Sequence, residues 1–420
     1  MLSNVPYRQV GYVLHQRGSD GKPLVIADIG APDEMQHANY VATLVKGGGI
    51  PVLKPGAKDL YETYQSHQPP LYYVLAAGWS KMWGMDLEGA HDGPYLRGLN
   101  VLIGAFSLLL LFLAVRTGTD DSVLALTAVT ICGLMPMWIG LHSAISNDPL
   151  LICFGCAYLA AMAGAIRYGW TVGRVILIGV ILGLGLWTKT SAIAFLIVSL
   201  IAAFAKMGSA DKPVMRWLPS LIGLVIIAPW WIRNVQVYGD PLAMNAFKAA
   251  FVGSAQRSNL VAMIAGGGGS SFSAEWTYWT QWFGWWTARS FIGVFGQMDI
   301  FYHAKVYAIA LVGVLACVAG WAFSWRTCNE NYQRSFRWLC VACFGIVALL
   351  FLQFNLTYFQ AQARYLYPAM GAIAAGLAMG YSYLTKRNFF AYVALFAVMV
   401  VANWMSVEFV AQEFTRRIGQ

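Results

Sequence analysis

The chain has 420 residues, 58% of them apolar and 11% charged, and its 28 basic and 19 acidic residues give a net charge of +9. A soluble domain carries roughly 25% charge and disorder needs low hydrophobicity, so an ordinary globular enzyme and a disordered chain are both excluded. A basic excess can signal nucleic acid, but the positions of these charges follow membrane topology, and no nucleic-acid partner is expected. The 17 Trp, 21 Tyr and 23 Phe suit long membrane–water interfaces.

Residues 1–30 hold no signal peptide and no span. Val10–Leu14 and Leu24–Ile29 are short apolar patches interrupted by charge. Next comes Ala31-Pro32-Asp33-Glu34-Met35-Gln36-His37. Pro32 predicts a helix starting at Asp33, with both acids in its first turn, where the dipole favours them. His37 then lies one turn from Asp33 on the same face. This grouping suits a general base with an orienting partner, or a divalent-metal site of Asp33, Glu34 and His37. An acidic helix start on a solvated loop accounts for the same residues. Gly47–Gly49 precede Ile50-Pro51 and open no helix after a strand, so a nucleotide-sugar donor is not expected. His67 and Gln68 are ligand contacts or simply the turn set by Pro69-Pro70. The stretch 71–83 is too short to span and reads as an interfacial helix.

Apolar runs of about 20 residues then give about ten spans, at 95–116, 122–141, 148–166, 172–188, 190–206, 215–232, 304–325, 336–355, 363–384 and 389–409. The fourth and fifth form a tight helical hairpin across Trp187, Thr188 and Lys189. The predicted architecture is an all-α polytopic transmembrane bundle with interfacial helices in two long external loops. Its units are the loop 1–94, the spans of 95–232, the aromatic loop 233–303, and the spans and short tail of 304–420. Arg116, Arg167, Arg174, Lys206, Lys212, Arg216, Arg326, Arg334, Arg337, Lys386 and Arg387 fall on alternate connections, which the positive-inside rule makes cytoplasmic. An even number of spans puts both termini outside. A first helix missing from this chain, which a partner chain could supply, is therefore expected, the other reading being that the first spans insert as a pair. Six of the seven Cys lie in apolar runs, and the two Cys-x-x-Cys spacings lack further ligands, so they read as small apolar residues.

The polar residues at the outer boundary carry the chemistry. Lys189, Arg233, Arg289 and Arg364 sit there against the positive-inside trend. Each is a phosphate ligand, a snorkelling side chain or half of an internal ion pair. Arg364, beside Tyr365, leads as a phosphate ligand; Arg97 is a further candidate. Asp148 after Asn147 opens a span, where capping explains the pair and a place in a catalytic cavity is the other reading. The run from Glu275 to Trp286 reads as an interfacial aromatic belt compatible with sugar stacking, and Gly266–Gly269 as a lid or hinge.

The order Pro32-Asp33-Glu34 with His37, Gly49-Ile50-Pro51, then His67-Gln68-Pro69-Pro70-Leu71-Tyr72-Tyr73 resembles the first external loop of superfamily C glycosyltransferases. The nearest likeness is to the protein O-mannosyltransferase-like and aminoarabinose-transferase-like membrane enzymes. Ser146-Asn147-Asp148-Pro149-Leu150, Gly183 to Thr190, Trp230 to Asn234, Tyr238 to Leu242, Ser290 to Gly296 and Gln362 to Pro368 resemble later motifs in the same order. The superfamily's first helix and a large soluble C-terminal domain have no counterpart in this sequence.

The resemblance implies transfer of a sugar from a polyprenyl-phosphate donor to an acceptor, at the external or periplasmic face of the cytoplasmic (inner) membrane. It implies Asp33 as base, with Glu34 the other acid or a metal ligand and His37 an orienting group. It also implies substrate contacts by His67, Gln68, Asp148, Lys189, Arg233, Arg289, Arg364 and Tyr365. A divalent metal stays open, because members differ. Two further readings stay open: a non-catalytic subunit or scaffold, and a lipid-linked-sugar transporter. Against the transporter, no inverted repeat and no broken-helix pair is evident.

Overall fold

The computed structural model describes residues 11–17, 23–26, 31–87, 92–266, 271–328 and 330–418. Strands β1 (Gly11–Arg17) and β2 (Pro23–Ile26) pair antiparallel, with Tyr12 opposite Val25 and Val13 opposite Leu24. Residues 11–14 and 24–26 of the two apolar patches thus form a ribbon, and residues 10 and 27–29 lie outside the described residues. Helix α1 (Glu34–Val45) starts one residue later than expected, because Asp33 occupies the N-cap in the left-handed region, at φ 67°. Its side chain makes no cap hydrogen bond. Met35, Ala38, Val41 and Ala42 form the buried stripe of α1, at helical spacing.

A short α2 (Leu60–Thr63) and the 3₁₀ turn Tyr64–His67 lead to α3 (Leu71–Met82). Its first turn closes on the Pro70 carbonyl, which accepts from Val74 N at 2.9 Å. Tyr40 of α1 and Tyr73 of α3 stack with centroids 3.7 Å apart. These helices form a layer at one end of the bundle, seated on it through a core of Tyr72, Tyr73, Leu87, Leu96 and Ile145.

The bundle runs through α4 (Asp92–Thr119), α5 (Ser122–Gly133), α6 (Pro136–His142), α7 (Asp148–Tyr168), α8 (Val172–Thr188), α9 (Ile193–Phe204) and α10 (Leu218–Tyr238). A second polar-end segment holds α11 (Met244–Ala250), α12 (Arg257–Gly266), α13 (Ser271–Thr277), a π-helical turn (Tyr278–Gly284) and α14 (Trp285–Ile292). The hairpin of β3 (Val294–Phe295) and β4 (Ile300–Phe301) closes that segment. Then follow α15 (Ala304–Ser324), α16 (Asn331–Asn355), α17 (Met370–Leu384) and α18 (Phe389–Ile418). The main core centres on α7, and Cys132, Cys156, Cys340 and Cys343 pack in it as free thiols.

An all-α polytopic bundle is the observed class; where about ten spans are expected, six single helices, or seven spans with the bent pair α5–α6 counted as one, pass on length and apolarity among the described residues, and α8 and α9 are shorter apolar helices. Among the described residues α4, α7, α10, α15, α16 and α18 are long and apolar enough to cross a membrane. The expected span 122–141 is broken, with α5 and α6 bent by 68°. The cause is Pro136, which drives Met135 out of the helical region. A broken pair therefore does exist here. The hairpin 172–206 is two short helices of 17 and 12 residues, parted where Lys189 is extended (φ −158°, ψ 137°). The expected span 363–384 contains a helix of only 15 residues, α17, preceded by 3₁₀ turns at Ala363–Tyr365 and Tyr367–Ala369.

The aromatic run also divides. Tyr278 and Phe283 turn inward onto Phe359 and Phe351, while Trp276 stays exposed. The π-winding shifts part of the run off the surface face. Of the expected hinge at Gly266–Gly269, residues 267–269 lie outside the described residues.

Small residues let α15 and α17 touch. A Cβ on Gly380 would overlap the Cys317 carbonyl oxygen, whereas one on Gly313 meets nothing. In lipid such close packing replaces the hydrophobic drive. Gly380→Leu is expected to destabilise the bundle by about 3 kcal/mol, read as a lowered Tm in detergent, with Gly313→Leu neutral. Equal behaviour of the two variants would overturn this seam.

Candidate functional site

Asp33 and Glu34 are neighbours with opposite fates. The Glu34 carboxylate turns into the protein. It accepts from Arg97 Nε at 2.7 Å and Nη2 at 2.8 Å, from Ile145 N at 2.9 Å and from Ala31 N at 3.3 Å. Both side chains are buried, at 1% and 2% exposure. Such a fork-to-fork pair fixes position as well as energy. It fastens α1 to α4 and to the connection before α7. Arg97, a phosphate candidate in the sequence, is thereby committed to Glu34.

Asp33 turns the other way. It accepts from Tyr64 OH at 2.5 Å and forms an ion pair with Arg364 Nη2, 331 residues away. Arg364 also reaches the Pro32 carbonyl at 3.4 Å, while its Nε is buried without an acceptor. The left-handed backbone at Asp33 makes this divergence: two consecutive side chains cannot point apart so sharply from a helix's first turn. Strained conformations of this kind cost about 1–3 kcal/mol and collect at functional sites.

A second pair stands beside the first. Lys189 Nζ binds Asp148 Oδ1 at 2.5 Å and lies 5.8 Å from the centre of the Tyr365 ring, which Arg364 also faces at 5.4 Å. The expected capping by Asn147 and Asp148 is not seen: Asn147 makes no side-chain cap, and Asp148 serves the lysine. Asn147 instead heads a directed chain. Its Nδ2 donates to the Thr188 carbonyl at 3.3 Å and to Gln68 Oε1 at 3.4 Å. Gln68 Nε2 lies 3.2 Å from His67 Nε2, and His67 Nδ1 donates to the Tyr64 carbonyl at 2.7 Å. His37 Nδ1 meets Tyr73 OH at 2.8 Å.

Asp33, Arg364, Asp148, Lys189, His37, His67, Gln68 and Tyr365 therefore share one polar cluster. Arg233 and Arg289 stand apart from it. Arg233 stacks on Trp230 and Tyr238 and holds the Pro51 carbonyl at 3.0 Å, pinning the first loop to α10. Arg289 lies among Trp285, Trp286 and Phe301. Tyr64 is a functional neighbour that nothing in its sequence setting announced; Gln362 stood inside a quoted motif without a role, and Asn147 was read only as a cap.

The electrostatics separate acids from bases. Burial opposes ionisation of Asp33, but the Arg364 guanidinium, His37 and the Tyr64 hydroxyl together outweigh it and hold the carboxyl at about 2. Burial holds His37 down to about 3 and His67 down to about 4, so both are neutral near pH 7. Neutral His67 is the form that can accept from Gln68.

A cavity opens against this cluster. Asp148 and Arg364 stand in its wall with Glu34 and Arg97, and residues of α6, the β3–β4 hairpin and α18, most of them apolar, line much of the rest with Gln362. The expected metal set does not fit. Both Glu34 oxygens are taken, Asp33 is held by Arg364 and Tyr64, and no cluster of three His, Cys, Asp or Glu able to hold a metal occurs among the described residues.

Comparison with known proteins shows what the chain is similar to. Residues 67–232 match the family model of dolichyl-phosphate-mannose-protein mannosyltransferase. No curated protein matches the chain. Among solved structures, the oligosaccharyltransferase of Archaeoglobus fulgidus tethered to an acceptor peptide is similar at 11% identity and TM-score 0.56, covering 93% of this chain and 52% of its own. The same protein with an inhibitory peptide and a dolichol-phosphate aligns at 12% identity and TM-score 0.53, over 93% and 52%. Its complex with zinc and sulfate aligns at 13% and 0.52, over 90% and 49%. The chain thus spans about half the length of the archaeal enzyme. The chain shares the polytopic membrane fold of the archaeal oligosaccharyltransferase over the aligned residues.

Two outcomes follow. Arg97→Met leaves Glu34 buried and unpaired and is expected to cost about 3–5 kcal/mol, with Glu34→Gln/Arg97→Met recovering most of it in thermal unfolding. The pH dependence has a defined sign. The folded values of His37 and His67 lie below 6.5, so the unfolded chain binds more protons and stability falls as pH drops from 6.5 toward 4. Asp33 extends the loss from 3.8 toward 2. A Tm flat between pH 7 and pH 4.5, or a slope unchanged by His37→Gln/His67→Gln, would contradict this.

Proposed function

We propose that this protein is a glycosyltransferase that moves a sugar from a polyprenyl-phosphate donor to an acceptor hydroxyl. The observation that carries the reading is the Asp33–Arg364 contact beside Lys189–Asp148: two acids and two fixed cations in one buried cluster at one end of a membrane bundle. The family match over residues 67–232 and the dolichol-phosphate held by the archaeal protein support a polyprenyl-phosphate donor. We further propose that the membrane is the cytoplasmic (inner) one, with residues 1–94 and 233–303 as the external loops, since Arg116, Arg167, Arg174, Lys206, Lys212, Arg216, Arg326, Arg334, Arg337, Lys386 and Arg387 fall on the short alternate connections.

The acceptor O–H bond breaks as its oxygen attacks the anomeric carbon, and the bond from that carbon to the phosphate oxygen breaks in turn. Asp33 takes the proton. The phosphate leaves with the bonding pair, and Arg364 and Lys189 stabilise its charge in a site of low dielectric. The sugar passes through an oxocarbenium-like state, as in glycosidases. At about 2, Asp33 is a weak base while Arg364 holds it. A donor phosphate engaging Arg364, whose Nε already lacks an acceptor, weakens that hold and raises the proton affinity of Asp33. Donor binding therefore switches on the base. Glu34 serves as an anchor, and His67 and Gln68 buttress the turn that carries Tyr64.

Asp33→Asn is expected to lower kcat at least about 100-fold with the fold and polyprenyl-phosphate binding retained. Arg364→Gln is expected to weaken that binding about tenfold or more. The assay is sugar release from a polyprenyl-phosphate-mannose in nanodiscs. Full turnover by Asp33→Asn would remove Asp33 as the base, and no sugar release by the parent protein would point instead to a scaffold or a transporter.

A further inference from the structure

The cavity has a wall that the proposed chemistry does not use. Asn403, Ser406, Val407 and Phe414 of α18 line it. Their spacing puts them on one helix face, while Trp404, Met405 and Phe409 stay exposed. Asn403 lies within a helix apolar enough to cross a membrane. An amide there is costly unless it has a partner, and such residues face a functional interior by default. Yet Asn403 Oδ1 is buried with no hydrogen-bond partner among the described residues. Gln362, two residues before Arg364, lines the same cavity, and its Oε1 is likewise buried and unpartnered. Its Nε2 is already given to Gln360 Oε1 at 3.3 Å.

Two unpaired amide oxygens in one cavity ask for hydrogen-bond donors. A phosphate offers only acceptors and suits the cations; a hydroxyl offers a donor. The apolar remainder of the wall suits the faces of a sugar ring or the first units of a prenyl chain. We propose that Asn403 and Gln362 read hydroxyl groups of the donor's sugar, so that α18 is a specificity element of the cavity. This rests on the donor reading given above.

The test uses the full chain in nanodiscs and two probes, polyprenyl-phosphate-mannose and sugar-free polyprenyl phosphate. The quantity read is the ratio of their Kd values. Asn403→Leu and Gln362→Leu are each expected to reduce that ratio between about twofold and tenfold, leaving sugar-free binding within about twofold of the parent. Leucine suits an apolar helix, so Asn403→Leu is expected to keep its Tm. Monodeoxy-mannose donors, tested on the unmutated protein, are expected to show one hydroxyl whose removal costs the same factor and makes Asn403→Leu silent. An unchanged ratio in both variants, or equal weakening of both probes, would overturn the assignment. Equal binding of the two probes by the parent overturns this inference alone, whereas binding of neither overturns the donor reading too.

Discussion

The structure hangs on the buried pair between Glu34 and Arg97. Its cost is large, because two charges leave water, and its return depends on geometry. Here the geometry is complete: two forked contacts from the guanidinium, with the remaining acceptor capacity of Glu34 met by backbone N–H groups of Ile145 and Ala31. One side chain thus ties together the first loop, the first long helix and the connection leading into the most buried helix. Everything else in the polar cluster is placed relative to that knot. Asp33 is next in the chain, Asp148 lies three residues past Ile145, and Lys189 reaches Asp148 from the break between α8 and α9.

Around that fixed point the cluster is balanced rather than charged. Two acids meet two cations, and both histidines are held neutral by burial. A balanced, buried arrangement is inexpensive to keep at rest, yet it is poised. An incoming anion competes with Asp33 for Arg364 and with Asp148 for Lys189, so its binding redistributes charge without requiring a large movement. The hydrogen-bond chain from Asn147 to the Tyr64 carbonyl has both ends on backbone carbonyls, which fixes its direction and stiffens the turn behind the acid.

Much of this was legible in the sequence. Composition gave the bundle, and the motif order gave Asp33, Asp148, Lys189 and Arg364. What stayed hidden has physical causes. Spans were counted as continuous apolar runs, but hydropathy does not register that Pro136 bends one run or that Lys189 splits a pair. The two acids at 33 and 34 look equivalent in a helical first turn; only the left-handed φ at Asp33 separates them, and no periodicity encodes a single residue's φ. Arg233 and Arg289 resemble Arg364 as charges at the outer boundary, yet each turns onto aromatic rings nearby in the chain, Trp230 and Tyr238 for the one and Trp285, Trp286 and Phe301 for the other, and side-chain direction is not written in the residue type. The aromatic run from Glu275 looked like a belt because a π-turn cannot be read from a 3.6-residue period.

The divergence of Asp33 from Glu34 has a further meaning for how this loop can vary. Each residue added to a helix turns its successor by about 100°. Inserting or deleting one residue between Pro32 and Met35 would carry the inward acid to the outward face, or neither acid to its partner. Surface loops usually absorb length changes at little cost. This one is a phasing element, whose length is set as strictly as that of a buried helix although it lies at the bundle's edge.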